Sequence, residues 1–204
     1  LVGVEGFGKT TIAASIPDVA LLMPEIETGY NTLLGGGRVP AVDALVTTSW
    51  TETREATRSL SGQPLALDEL SGFQRQCFDY VCRTQKEFKG NWARFWNYHK
   101  GAKLAAETEW MEWMVELERS GSMIVAMSHC QIERFDEPTT GGYNRYVSAL
   151  HKYCWMATIR WADAVLFGTF DALKHAESVA QRFLSVTARD HHHRPVGAPC
   201  DHDL

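Results

Sequence analysis

Residues 3–10 read Gly-Val-Glu-Gly-Phe-Gly-Lys-Thr and fill the pattern G-x-x-x-x-G-K-[ST], a loop suited to gripping a nucleoside triphosphate. The backbone from Gly3 through Glu5, Gly6, Phe7 and Gly8 to Thr11 is expected to turn N–H groups around the phosphates. Lys9 would reach the β and γ oxygens, and the Thr10 hydroxyl would coordinate Mg²⁺. Residues 9–16 read as a helix stopped before Pro17, aiming its N-terminus at the phosphates. ATP and Mg²⁺ are therefore the expected cofactors.

Hydrolysis also needs a carboxylate for the metal and a group that orients the attacking water. In an open α/β sheet such groups sit beyond the carboxyl ends of the strands. Asp68 ends the apolar run Leu65–Leu67 and is placed to serve Mg²⁺. Glu27, after the run at 19–23, and Glu69, next to Asp68, compete for the water, and spacing alone leaves both open. Ser128 and His129 end a further apolar run at 122–127.

The elements that must position these groups alternate. Strands are expected at 19–23, 44–48, 65–67, 122–128 and 163–168, with a last edge strand at 182–187. Helices are expected at 50–60, capped by Ser49 with Glu52 completing a capping box, and at 70–86, 103–120 and 148–161. Gly29 and Gly35–Gly37 mark loops, and 87–102 reads as an irregular loop rich in aromatics. Residues 131–147 form a polar excursion, a hairpin with Gly141 and Gly142 at its tip. Leu104, Trp110, Trp113, Met114 and Leu117 make a helical stripe, so these tryptophans read as core rather than a base-stacking platform. The fold class is α/β, with a mostly parallel central sheet and helices on both faces.

The chain has 204 residues and a net charge of −5, a size suited to one domain and a charge that does not advertise nucleic-acid binding. Any such contact must come from a local patch or an assembly. The expected division is an ATPase domain over 1–187, its N-terminal strand truncated, and a C-terminal loop or tail over 188–204. No apolar run is long enough to span a bilayer, no signal peptide is visible, and a cytoplasmic protein is expected. Cys77, Cys82, Cys130, Cys154 and Cys200 read as reduced thiols. His191–His193 with Cys200 and His202 fit no common zinc spacing and read as a solvated loop.

Beyond the phosphate loop, the chain carries Glu25-Ile26-Glu27-Thr28-Gly29, Thr48-Ser49-Trp50, Leu67-Asp68, the stretch Ser128–Pro138, Leu150-His151-Lys152 and Trp161–Phe167. With these it resembles phage and prophage ATPases with a RecA-like P-loop NTPase core, labelled AAA-family ATPases or phage nucleotide-binding proteins and including Sak-type single-strand annealing proteins. The resemblance implies that Glu27 activates water and that His129 or Gln131 senses the γ-phosphate. It also implies that 136–144 matches a mobile DNA-binding loop. Three departures stand out: Glu69 replaces the usual Ser or Thr, Glu25 the usual Asp, and 188–204 lacks an Ala-Lys-Asn-Arg run.

Arg134, Arg145 and Lys152, with Tyr143 and Tyr146 to stack on bases, are the candidates for single-stranded DNA; an ordinary charged hairpin is the competing reading. Lys152, Arg160 and Lys174 could instead reach a neighbouring subunit's phosphates in a homo-oligomeric ring or filament. The expected function is a Mg²⁺-dependent ATPase of phage DNA recombination or replication, in the host cytoplasm. The rivals are an annealing protein that uses ATP as a conformational ligand, and a small-molecule kinase.

Overall fold

A computed structural model describes residues 1–137, 141–170 and 182–188. Four strands, β1 (Val2–Gly3), β2 (Ala20–Pro24), β3 (Asp43–Thr47) and β4 (Leu65–Leu67), alternate with helices α1 (Lys9–Ala14), α2 (Gly29–Gly35) and α3 (Trp50–Ser59). Then come α4 (Leu70–Thr84), α5 (Trp92–Trp96), a single turn at Asn97–His99 and α6 (Lys100–Ala105). A π turn over Ala106–Trp110 joins α6 to α7 (Met111–Arg119). The chain closes with β5 (Ile124–Ala126), β6 (Ser128–Glu137), β7 (Gly141–Ser148), α8 (Lys152–Trp161), β8 (Ala164–Phe170) and β9 (Arg182–Ala188).

Hydrogen bonding orders the strands β3-β2-β4-β5 and β7-β6-β1-β8-β9. The two sets meet where β5 runs through Met127 into β6. Met127 N–H donates to Leu67 O on one side, and Ser128 N–H donates to Leu1 O on the other. The strand carrying Asp68 is thus separated from the phosphate-loop strand by β5. β1 pairs in parallel with β6 and with β8, β2 with β3 and β4, and β4 with β5; among the described residues only the β6–β7 and β8–β9 pairs are antiparallel. The sheet is therefore mostly parallel, as the sequence implied.

Both faces are covered, which is why β2 reads as an unbroken apolar run rather than an alternation. Leu21, Met23 and Ala66 join Ala13, Ala14 and Tyr30 in one core. Ala20, Leu22, Leu65 and Leu67 join Trp50, Phe73, Trp110 and Trp113 in a larger one on the other side. The three indoles pack against one another, and each N–H is satisfied: Trp50 by Glu109, Trp110 by Thr158, Trp113 by Thr57. Trp110 and Trp113 are core, as their helical spacing predicted.

The expected cap of α3 forms, with Ser49 Oγ accepting from Glu52 N–H at 3.3 Å. The Glu52 carboxylate reaches one residue further back than a simple capping box, to Thr48 N–H and hydroxyl, both at 2.8 Å. Several expectations need correction. Gly29 opens α2 rather than a loop; residues 92–102, within the expected irregular loop, are largely helical; and the last long helix begins at Lys152, not at 148. The 131–147 excursion is a hairpin, and 182–188 pairs as an edge strand. Cys77, Cys82 and Cys154 are buried free thiols and Cys130 is partly buried. Cys200, Lys174 and the His191–His193/His202 cluster lie outside the described residues.

Candidate functional site

The phosphate loop leaves β1 at Gly3 and enters α1 at Lys9. Gly6 and Gly8 have φ of 72° and 96°, the left-handed region that residues with a Cβ rarely occupy. Both glycines are thus required by the turn. Phe7 turns inward and is buried against Gly168 of β8, where a Cβ would collide with its ring. This pins the middle of the loop while Glu5 and Gly6 stay exposed. Helix α1 has six residues, shorter than expected, so the local N–H groups matter more here than a long helix dipole.

Lys9 is only 6% exposed. Its Nζ donates to Gly3 O at 2.9 Å and Val4 O at 3.2 Å, and lies 3.4 Å from His129 Nδ1. Burial lowers its pKa, opposed by the nearby Asp68 carboxylate. Thr10 Oγ1 donates to Asp68 Oδ2 at 2.7 Å, so the hydroxyl and the strand-end carboxylate converge on one point. Thr11 follows directly in the same turn, half-buried. Burial raises the Asp68 pKa, an effect opposed by the Thr10 bond and by Lys9.

The two competing glutamates sit in different surroundings. Glu69 is 1% exposed and caps α4. One carboxylate oxygen accepts from Ser71 N–H at 3.1 Å and from the Ser71 hydroxyl. The other accepts from His129 N–H at 3.2 Å. Glu27 follows β2 on a turn closed by its N–H donating to Pro24 O at 2.9 Å. It is half-buried, and no hydrogen bond to its carboxylate is recorded among the described residues. Glu27, Glu69 and His129 bring ligand atoms within 4.8 Å of one another. Burial, then the Glu69 and Asp68 charges, raises the Glu27 pKa. A free carboxylate with a raised pKa is suited to taking a proton near neutral pH; one fully engaged in capping is not.

The donors present fit the groups the sequence implied. A hydroxyl and a carboxylate are hard oxygen ligands of the kind Mg²⁺ takes alongside phosphate oxygens. Gly6 and Gly8, both left-handed, shape the loop into the kind of backbone nest that binds an anion. Gly29 lies beside the hydroxyl that would serve the metal: a Cβ there would stand in ordinary contact, 3.9 Å from Thr10 Oγ1.

His129 lies next to Lys9 and immediately precedes the first β6–β7 pair, whereas Gln131 is exposed two residues further out. In the hairpin register Glu133 faces Arg145 and Phe135 faces Tyr143. Arg145 reaches Glu133 at 3.4 Å and lies 4.4 Å over the Phe135 ring; Arg134 pairs with Asp136 at 3.1 Å. Both hairpin arginines are thus matched to acids. Lys152 stands apart, exposed at the start of α8 and 5.1 Å over Tyr153. The structure brings together Lys9, Thr10, Glu27, Asp68, Glu69 and His129, and leaves Arg134, Tyr143, Arg145 and Lys152 outside that cluster. Sequence reasoning missed Ser71, whose N–H and hydroxyl hold Glu69; a small polar residue two positions after a strand-end acid was the available signal.

The model of a family described as an AAA domain matches residues 1–194. Comparison with curated proteins gives no match. No helix among the described residues is long and apolar enough to cross a membrane.

Proposed function

The chain belongs to the AAA domain family, and on that footing we propose that it is a Mg²⁺-dependent ATPase. The observation that carries this is the 2.7 Å bond between Thr10 and Asp68 at the mouth of the glycine loop. The loop N–H groups and Lys9 hold the phosphates. Thr10 and Asp68 would hold Mg²⁺, which when bound neutralises charge on the phosphate oxygens. Glu27 accepts a proton from water as the water oxygen bonds to the γ-phosphorus and the bond to the ADP oxygen breaks. His129, beside Lys9, registers whether the γ-phosphate is present. Phosphate release from Mg²⁺–ATP tests the reading: the wild-type chain should turn over, and Lys9→Ala and Asp68→Asn should not. No turnover by the wild type, or full turnover by either variant, overturns it.

The finer proposal is that the enzyme serves phage or prophage DNA recombination or replication in a bacterial cytoplasm, with the β6–β7 hairpin passing nucleotide state to single-stranded DNA. What supports it is position. His129 immediately precedes the first β6–β7 pair, Cys130 with Ser148, and the hairpin exposes Tyr143 and Tyr146. Assembly into a ring or filament belongs to the same proposal, because α8 leaves Arg160 exposed for a neighbouring subunit's phosphates. A DNA titration with ADP and with a non-hydrolysable ATP analogue tests the coupling. Equal affinities in both states would remove the sensor role of His129.

A further inference from the structure

Residues 83–103 carry Arg83, Lys86, Lys89, Arg94, Lys100 and Lys103 against the single acid Glu87, a net of +5 in a chain of −5. Arg83 pairs with Asp79 and Lys103 with Glu107. No ion pair is recorded for Lys86, Lys89, Arg94 or Lys100 among the described residues. The hairpin 128–148 offers the opposite balance, two arginines against Glu133, Asp136 and Glu137. By charge, the α5 region is the better surface for a polyanion.

The same segment exposes aromatic faces. Trp92 and Trp96, one turn apart on α5, are 41% and 43% exposed and lie near-parallel, with ring centroids 6.5 Å apart at 22°. Phe95 is fully buried between and beneath them, packed on Phe78 and Phe88. Gly101 has no Cβ because one would strike the Phe95 ring. The two indoles therefore ride on a fixed base. Tyr98 and His99 follow with φ of 49° and 56°, unusual for residues with a Cβ, and Tyr98 stands 87% exposed. Chains bury aromatics where they can, so strained backbone that presents a tyrosine to water points to a binding role. Trp96 also meets His151 at 5.9 Å, which extends the patch to Lys152.

We propose that Trp92, Trp96 and Tyr98, with Arg94, Lys100 and Lys152, form a binding surface for single-stranded DNA. The cations take the phosphates and the exposed rings stack on bases, the pairing that suits a single strand because unpaired bases present their faces. A duplex hides those faces. The surface is distinct from the hairpin and does not depend on ATP hydrolysis, so its failure and that of the ATPase reading can be told apart.

The test is the binding of a labelled oligothymidylate over a range of salt, without nucleotide, with a matched duplex as control. Trp92→Ala with Tyr98→Ala should weaken binding by roughly 5- to 150-fold for each base platform lost, leaving Mg²⁺–ATP binding unchanged. Arg94→Ala with Lys100→Ala touches no core ring and so keeps the test valid if the first pair proves unstable. It should lower the salt slope by about 1.4, at ~0.7 per phosphate on a single strand. Single-strand binding should also quench tryptophan emission, and Trp92→Ala should reduce that quench. Three results overturn the proposal: no single-strand binding by the wild type; equal single-strand and duplex affinity with no quench; or loss of binding only in an Arg134→Ala/Arg145→Ala variant, with the α5 variants untouched.

Discussion

Exchanging a carboxylate for its amide at Glu27 and at Glu69 should give opposite results in rate and in stability. Glu27 has a free carboxylate at the mouth of the site, so Glu27→Gln should retain ATP but slow phosphate release by roughly 10²–10⁴-fold, the span expected for losing a general base. Its folded state should not suffer. With Glu69 within 4.8 Å, like-charge repulsion lies between ~1 kcal/mol in water-like surroundings and ~3.5 kcal/mol at an effective dielectric of 20. The half-exposed side chain belongs near the lower end, and the nearby Lys9 and His129 offset part of it, so the melting temperature should hold or rise by a few degrees at most. Glu69→Gln is the reverse case. Both its oxygens are occupied, one by Ser71 and one by His129 N–H. An amide must turn its NH₂ towards one of those donors, leaving a buried N–H unmatched at a cost of about 1–3 kcal/mol, or roughly 2–12 °C for a domain of this size. Its rate should fall less than that of Glu27→Gln. Single-turnover phosphate release and thermal melts on the two variants are sufficient. A Glu69→Gln enzyme that is slower than Glu27→Gln, yet as stable as wild type, would refute the assignment and make Glu69 the base.

Lys9→Ala should weaken triphosphate binding by about 1.5–3 kcal/mol, the worth of a charge-assisted contact, read by calorimetry. The Glu27 pKa is raised by burial first and by Glu69 and Asp68 next, so the acid limb of turnover should lie above the ordinary glutamate range; Glu69→Gln removes a negative neighbour and should move that limb to lower pH. The same raised pKa means that the folded chain holds Glu27's proton longer than the unfolded chain does. Its contribution to stability is present below the unfolded pKa and lost as pH rises through the folded one, and melts of Glu27→Gln against wild type should show that loss removed. Arg54 ties α3 to Glu109, Glu112 and Glu116; Arg54→Ala leaves Glu116 to Arg58 and Glu109 to the Trp50 N–H, so the loss should fall below the ~3–5 kcal/mol of a fully buried pair, as a chemical-denaturation midpoint would show.

The sheet was legible because its strands are buried on both faces. Continuous apolar runs such as Ala20–Met23 need no periodicity to be read, and the polar residue after each run marks the edge where chemistry collects. That is why Glu27, Asp68, Glu69 and His129 could be named as candidates from position. Their mutual geometry could not. Whether a strand-end acid faces solvent or caps the next helix depends on which N–H groups come round to meet it, and for Glu69 these belong to Ser71, two residues on, and to His129, sixty residues away. Sequence spacing holds the first of those facts only weakly and the second not at all.

The segment 87–102 shows the same limit from the other side. Its glycines and scattered cations read as a loop because local propensity there is poor: α5 has five residues, and Gly101 lies inside the helix that follows. The order comes instead from Phe95, whose burial against Phe78 and Phe88 holds a helix too short to persist alone. A glycine that weakens a helix in isolation strengthens this one, because only a residue without a Cβ lets the Phe95 ring pack against it. The same packing decides the fate of the neighbouring indoles. With Phe95 filling the space beneath, Trp92 and Trp96 have no room to enter the core, so the fold that made this segment regular also left its aromatic faces outward.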